Sequence, residues 1–266
     1  MTKFINRAKA AKSTGVSYLG SINSSAKIKK NSKVSAVDTY VLYLAPAKES
    51  GYNVCPMATA ECMAGCLHTS GRVKMDVDNT IVNARITKTK LFFENRELFM
   101  DWLFAEIESG IKRSKRVGKD FAVRLNGTSD INWSVYKVNG KNVFETFPDI
   151  QFYDYTKVAS RFKNVPDNYH LTYSYTGKNI EECLNVLGKG HNVAVVFNTP
   201  KGEDLPAVFM NHLVMDGDLT DYRPDDMKGV VIGLRWKNIR DRAVNDFIKN
   251  SVFVVQPEKS LKIKVA

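Results

Sequence analysis

Three of the four cysteines in this chain fall within twelve residues, in the run Cys55-Pro-Met-Ala-Thr-Ala-Glu-Cys62-Met-Ala-Gly-Cys66, while the fourth, Cys183, stands far away. A closed structural zinc site takes four protein ligands. A [4Fe–4S] cluster has four irons, so three thiolates leave one iron open to a small molecule. The run therefore reads as a working metal or iron–sulfur site with Cys55, Cys62 and Cys66 as thiolate ligands. Ala58, Ala60, Ala64 and Gly65 are small enough to let an inorganic group approach the backbone. Cys62 and Cys66, four apart, can face one way on a helical turn, with Cys55 closing the loop from outside. Zinc stays open as the alternative, with His68 either a fourth ligand or a surface histidine. Unligated core cysteines are the third reading, and Cys183, on an apparent helix face, reads as core packing. Arg72 is either a partner for a charged group or a solvated side chain.

Four cysteines in 266 residues make no disulfide framework. Clustered thiols point to a reduced, cytoplasmic setting. No apolar run reaches the ~18 residues of a membrane span, and the basic N-terminal stretch lacks the apolar core of a secretory signal. Its charge is uneven: residues 1–33 hold eight Lys or Arg and no acid, so of the net +11 only +3 remains for the rest. Residues 1–36 are expected to be a flexible basic arm that either contacts nucleic-acid phosphates through residues 1–33 or only aids solubility. Residues 37–266 are long enough for a single α/β domain.

Within that domain the pattern alternates. Apolar, β-branched runs at 39–45, 121–125, 150–155, 169–174, 192–197, 230–235 and 251–255 read as strands. Helical periodicity fills 73–115, with Gly110 and the basic run after it ending the helix, and also about 179–187 and 239–249. Residues 200–229 read as a long connection. Strands separated by helices predict a parallel sheet or barrel with right-handed crossovers, whose ligands bind at the carboxyl ends of the strands. Polar residues cluster at those ends: the cysteine loop, Asn126 to Asp130, Asp154 to Lys157, Ser174 to Asn179, and Asn198. The acidic run Met215–Asp221 lacks the closing Glu of a calcium loop and reads as solvated. No hydrolytic triad or zinc-protease pattern is present.

The cysteine run, with Cys66-Leu-His-Thr-Ser-Gly-Arg72, Val123-Arg-Leu-Asn-Gly-Thr-Ser-Asp130, Phe152-Tyr-Asp-Tyr-Thr-Lys157 and Tyr169-His-Leu-Thr-Tyr-Ser174, resembles the phage protein family called gene product 88 over about residues 37–255. A cysteine triad after the first strand of a β/α barrel is also the layout of radical S-adenosylmethionine enzymes. The gaps here, six residues (Pro56 to Glu61) and three (Met63 to Gly65), depart from that family's usual spacing. The resemblance implies a partial (β/α) TIM-like barrel of radical-SAM type, with the cysteine loop after its first strand. It implies a [4Fe–4S] cluster and S-adenosylmethionine, cleaved to a 5′-deoxyadenosyl radical if the protein is an enzyme. Asn126 and Ser129 would then meet the cofactor's amine or carboxylate. Asp130, Asp154 and Lys157 would supply polar contacts at the mouth, and Ser174 and Asn198 would reach ribose hydroxyls. No catalytic residue is assigned. The alternative is a non-catalytic metal- or cluster-containing protein that binds nucleic acid in phage replication, in the host cytoplasm. A tyrosine-nucleophile nickase using Tyr153, Tyr155 or Tyr173 is the third reading.

Overall fold

A computed structural model describes residues 4–24, 28, 36–66, 73, 75–239 and 241–257. Among them the chain forms α1 (Arg7–Thr14), β1 (Gly20–Ile22), β2 (Val37–Leu42), α2 (Ala60–Ala64), α3 (Thr80–Glu94), α4 (Arg96–Arg116), β3 (Asp120–Arg124), α5 (Val143–Thr146) and β4 (Gln151–Thr156). It continues through β5 (Tyr169–Ser174), α6 (Ile180–Gly188), β6 (Asn192–Phe197), β7 (Val208–Phe209), β8 (His212–Asp216), β9 (Val231–Arg235), α7 (Arg242–Lys249) and β10 (Val254–Val255).

The described strands make one mixed, mostly parallel sheet of ten, in the order β1-β2-β3-β4-β5-β6-β9-β8-β7, with β10 added beside β6. The sheet does not close on itself. From β2 to β6 the spatial order follows chain order. The helices of these connections pack on one face of the sheet. Residues of that face, Tyr40, Leu42, Val123, Phe152 and Leu171, pack with Phe92, Phe99, Trp102, Leu103 and Ile107 of α3 and α4. Tyr173, Val193 and Val195 pack with Cys183 and Val186 of α6 in a second cluster. Cys183 is fully buried there, as core packing requires.

The opposite face carries Thr39, Ala122, Arg124, Tyr153, Tyr155 and Ala194 by the strand alternation. Residues 217–226 cross it: Tyr222 meets the Tyr153 ring edge-on at 5.5 Å, and Arg223 is 1% exposed, bonded to the Thr220 carbonyl and paired with Asp226 at 3.2 Å.

Several expectations shift. The helical stretch 73–115 is two helices. Asn95, at φ −141°, breaks them and caps the second by accepting from the Leu98 N–H. That helix runs through Gly110 to Arg116, because the glycine is a packing requirement and not a stop. A Cβ there would lie 2.4 Å from the Phe121 ring. The connection 200–229 contains the β7–β8 hairpin, and β8 pairs parallel with β9. The last strand shrinks to Val254–Val255.

Of the expected basic arm, residues 4–24 belong to the body. Ala10, Val16 and Leu19 are buried with the residues of α4, and β1 pairs antiparallel with β2. The reason is one carboxylate. Buried Glu106 of α4 accepts from the Leu19 N–H and the Gly20 N–H, both at 2.9 Å, and from the Tyr40 hydroxyl at 2.6 Å. Gly20 fits under Tyr40 only without a side chain, since a Cβ would sit 2.3 Å from the ring. Glu106→Ala should lower unfolding free energy by about 3 kcal/mol, since it orphans three donors to a charged acceptor. Denaturant melts read the loss, and faster exchange of the Leu19 and Gly20 amides locates it. Unchanged stability would refute the anchoring role.

Candidate functional site

The chain leaves β2 at Leu42 and builds the cysteine loop directly over the carboxyl ends of the neighbouring strands. Backbone bonds pin it: Val54 N–H to the Ala47 carbonyl at 3.0 Å, and Asp130 N–H to the Val54 carbonyl at 2.8 Å. The Cys55 sulfur accepts from the Ala47 N–H at 3.4 Å and faces the Thr128 carbonyl at 3.8 Å. Thr59 opens α2, its hydroxyl accepting from the Cys62 N–H at 3.2 Å. The expected turn is there but short: Cys62 lies inside α2 and Cys66 two residues beyond it, with its N–H directed to the Met63 carbonyl. Gly65 lets this turn press on Trp236 and Ile248, where a Cβ would lie 3.0 and 3.2 Å from their side chains.

All three half-buried thiols line one cavity of about 250 Å³. Its wall also holds Asn126 to Asp130, Tyr155 to Lys157 and Ser174. β2, β3, β4 and β5 thus deliver residues to one mouth, as the parallel topology predicts. Lys157, just past β4, stands beside Cys62, Cys66 and Asp130. Burial alone would lower its pKa, but the neighbouring sulfur and carboxylate reverse the direction and hold the ammonium charged. Burial pushes the Cys55 thiol up, partly offset by the Ala47 N–H.

The other sequence candidates divide. Ser174 faces the cavity. Asn126 lines it, but its amide is spent on the loop: Oδ1 accepts from Ser129 Oγ, Ile131 N–H and Trp133 Nε1 at 2.8, 2.9 and 3.1 Å, and Nδ2 donates to the Ile131 carbonyl at 3.0 Å. Ser129 is committed by the same bond. Asp130 accepts from Thr156 Oγ1 at 2.8 Å, from the Lys157 N–H at 2.9 Å and from Arg161 at 2.6 Å. Asp154 is 1% exposed and lies behind the cavity, accepting from the Asn126 N–H at 2.7 Å and the Tyr169 hydroxyl at 3.0 Å. Asn198 stands outside the cavity lining and donates to Gln256 at 2.6 Å. Asn126, Ser129, Asp130 and Asp154 therefore build the floor. His68 and Arg72 lie outside the described residues.

The cavity also holds Arg124, Arg235 and Trp236, which were not singled out from sequence, together with Asp218 and Asp221 of the acidic run. Arg124 pairs with Asp221 at 3.0 Å and lies 4.9 Å over the Tyr155 ring. Arg235 pairs with Asp216 at 2.8 Å and takes Asp218 on its own N–H at 2.9 Å. The acidic run Met215–Asp221, expected as a solvated loop, is thus an ion-pair strip against two strand arginines. Strand alternation held the signal, for Val123 and Leu125 face the core and oblige Arg124 to face the mouth.

Among the described residues no group of three His, Cys, Asp or Glu side chains could hold a single metal ion. Thiolates on one tetrahedral zinc stand only about 3.8 Å apart, from Zn–S bonds of about 2.3 Å.

Burial raises the Asp154 carboxyl to about 7, against the pull of Arg124 and the Asn126 N–H. The folded protein then keeps a proton that the unfolded chain releases near pH ~4, so this stability is complete below about pH 4 and is lost as pH rises through about 7. Thermal melts of the parent should show that decline. Asp154→Asn, which keeps an acceptor for Asn126, should flatten it, and an identical slope in the variant would assign the proton elsewhere.

A family model described as Gene product 88 matches residues 4–249. Neither the curated proteins nor the solved structures contain a match. Among the described residues no helix is long and apolar enough to cross a membrane.

Proposed function

The chain belongs to the Gene product 88 family, a phage family, and on that premise we propose that it is an iron–sulfur protein in which Cys55, Cys62 and Cys66 hold a [4Fe–4S] cluster. The sheet is then a partial (β/α) barrel of radical-SAM type. The observation that carries this reading is the convergence of all three thiols on one cavity at the carboxyl ends of parallel strands. Three soft thiolate donors suit iron–sulfur or zinc, and three of them leave one iron of a [4Fe–4S] cluster open. S-Adenosylmethionine on the open iron would make it a radical enzyme, the reduced cluster supplying the electron that yields a 5′-deoxyadenosyl radical.

The chain's own residues have definable tasks in this reading. The thiols anchor the group. Lys157 offsets the negative charge that three thiolates bring, and Asp130 fixes the backbone from which Lys157 projects. Ser174 offers a hydroxyl to a polar ligand, while Ala194, Val196 and Leu234 keep water from one wall. Asn126, Ser129 and Asp154 hold the floor rigid through their bonds to one another and to the loop after β3. Thiols of this kind need a reducing compartment, such as the host cytoplasm.

Anaerobic purification should give a brown protein with about four irons and four sulfides per chain, absorbing near ~400 nm. Cys62→Ala should lose most of the iron, and S-adenosylmethionine should change the EPR spectrum of the reduced parent. One zinc per colourless chain would overturn the cluster. An EPR spectrum indifferent to S-adenosylmethionine would overturn the radical enzyme while leaving the cluster.

A further inference from the structure

We propose that a second cavity, behind the floor of the cysteine cavity, is a binding site for a small carboxylic acid that carries an apolar ring or a short apolar chain. The inference is independent of what the thiols hold. This cavity measures about 370 Å³. Small-molecule sites commonly span about 300–1,000 Å³ and combine an apolar wall with a few placed polar groups. The loop after β3, the short helix α5 and the connection from β4 to β5 enclose the space.

Its lining divides into an apolar wall and one cation. The rings of Phe144 and Tyr169 stack with centroids 4.4 Å apart, and Val158, Val165 and Leu171 complete the wall. Arg161 is the one charged side chain, and among the described residues no carboxylate lines the space. A metal ion therefore finds no anionic ligand here, and a polyphosphate finds too few cations.

Arg161 is held in place without being saturated. Nη1 donates to Asp130 Oδ1 at 2.6 Å and to the Ile131 carbonyl at 3.3 Å, and Nη2 donates to the Asp130 carbonyl at 2.6 Å. A guanidinium has five N–H donors. Three are engaged, and among the described residues the Nε–H and the second Nη2 hydrogen, neighbours on one edge, have no acceptor. A carboxylate takes two parallel bonds from such an edge. Ser160 and Asn164, exposed at the rim, add a hydroxyl and an amide. Asp130 already matches the Arg161 charge, so a bare inorganic anion gains little, and the apolar wall must contribute to the affinity.

The two cavities share a wall. Arg161 lines this one and Asp130 the other. Tyr169 lines this one and donates at 3.0 Å to Asp154, which accepts from the Asn126 N–H on the other side. Pro56, directly after Cys55, also lines the second cavity.

Heteronuclear NMR of the backbone amides of the full chain, titrated with benzoate and with hexanoate to about 20 mM, should give dissociation constants of about 1 mM or tighter. The largest shifts should fall at Ser160, Arg161 and Asn164. Benzamide, which keeps the shape and lacks the charge, should bind at least about tenfold more weakly. Arg161→Lys, which keeps the charge and loses the fork, should weaken benzoate by about tenfold. Ser160→Trp, which fills the cavity from its exposed rim, should weaken both acids by at least about tenfold. Lys237→Gln, at the edge of the cysteine cavity, should bind as the parent does. Thermal melts of each variant confirm that the fold is intact. The proposal is overturned if neither acid shifts any amide, if the shifts centre on Ser174 and Lys237 of the cysteine cavity, if Ser160→Trp binds like the parent, or if benzamide matches benzoate.

Discussion

Asp130 lies where three loops meet, and its bonds set the position of everything at the mouth. Its N–H holds the cysteine loop through Val54, and its carboxylate holds the Thr156 hydroxyl, the Lys157 N–H and the Arg161 guanidinium. Arg161 also reaches the Asp130 carbonyl at 2.6 Å, so the loop after β3 and the loop after β4 are fastened by one residue pair. A buried ion pair of this kind adds little net stability, because desolvation offsets its Coulomb attraction. Removing one member, by contrast, leaves an uncompensated charge. Its contribution is therefore positional. It keeps a thiol loop, a lysine and a strand end in one register.

The strands β2 to β6 and β9 were legible because each falls in an apolar run long enough to show its pattern. β5 and β6 coincide with the runs read from sequence at 169–174 and 192–197. β1, β7 and β8 were not legible. β1, in Gly20–Ile22, is three half-buried residues inside a lysine- and serine-rich stretch, and its strand character comes from Glu106, eighty-six residues from Gly20 along the chain. β7 and β8 sit in a segment whose glycines and prolines suggest only a connection. Long-range hydrogen bonds decide these elements, and local pattern does not carry them.

The site divides along the same line. That Cys55, Cys62 and Cys66 lie near one another follows from spacing, and that loops after parallel strands converge follows from topology. Which atoms point into the space does not follow from either. Asn126 has the chemistry of a ligand contact, yet three acceptor bonds from its own loop exhaust its carbonyl. Arg124 looks like an interruption in an apolar strand, yet it holds Asp221 across the mouth. At the mouth, the arginines are matched by the carboxylates of residues 216–221.

β6 pairs with β5 only as far as Ala194, and β10 then takes over that side at Val196 and Phe197. The sheet is thus split, and the split is filled by residues that follow the cysteines by almost two hundred positions. Phe253 and Trp236, which wall the cavity beside the thiols, belong to the same late stretch. During synthesis the chain emerges from its N-terminal end at a finite rate, so Cys55, Cys62 and Cys66 leave the ribosome well before this wall exists. For that interval the thiols are reachable from a side that the finished protein closes. The interval in which these thiols are open to solvent is therefore built into the order of the strands.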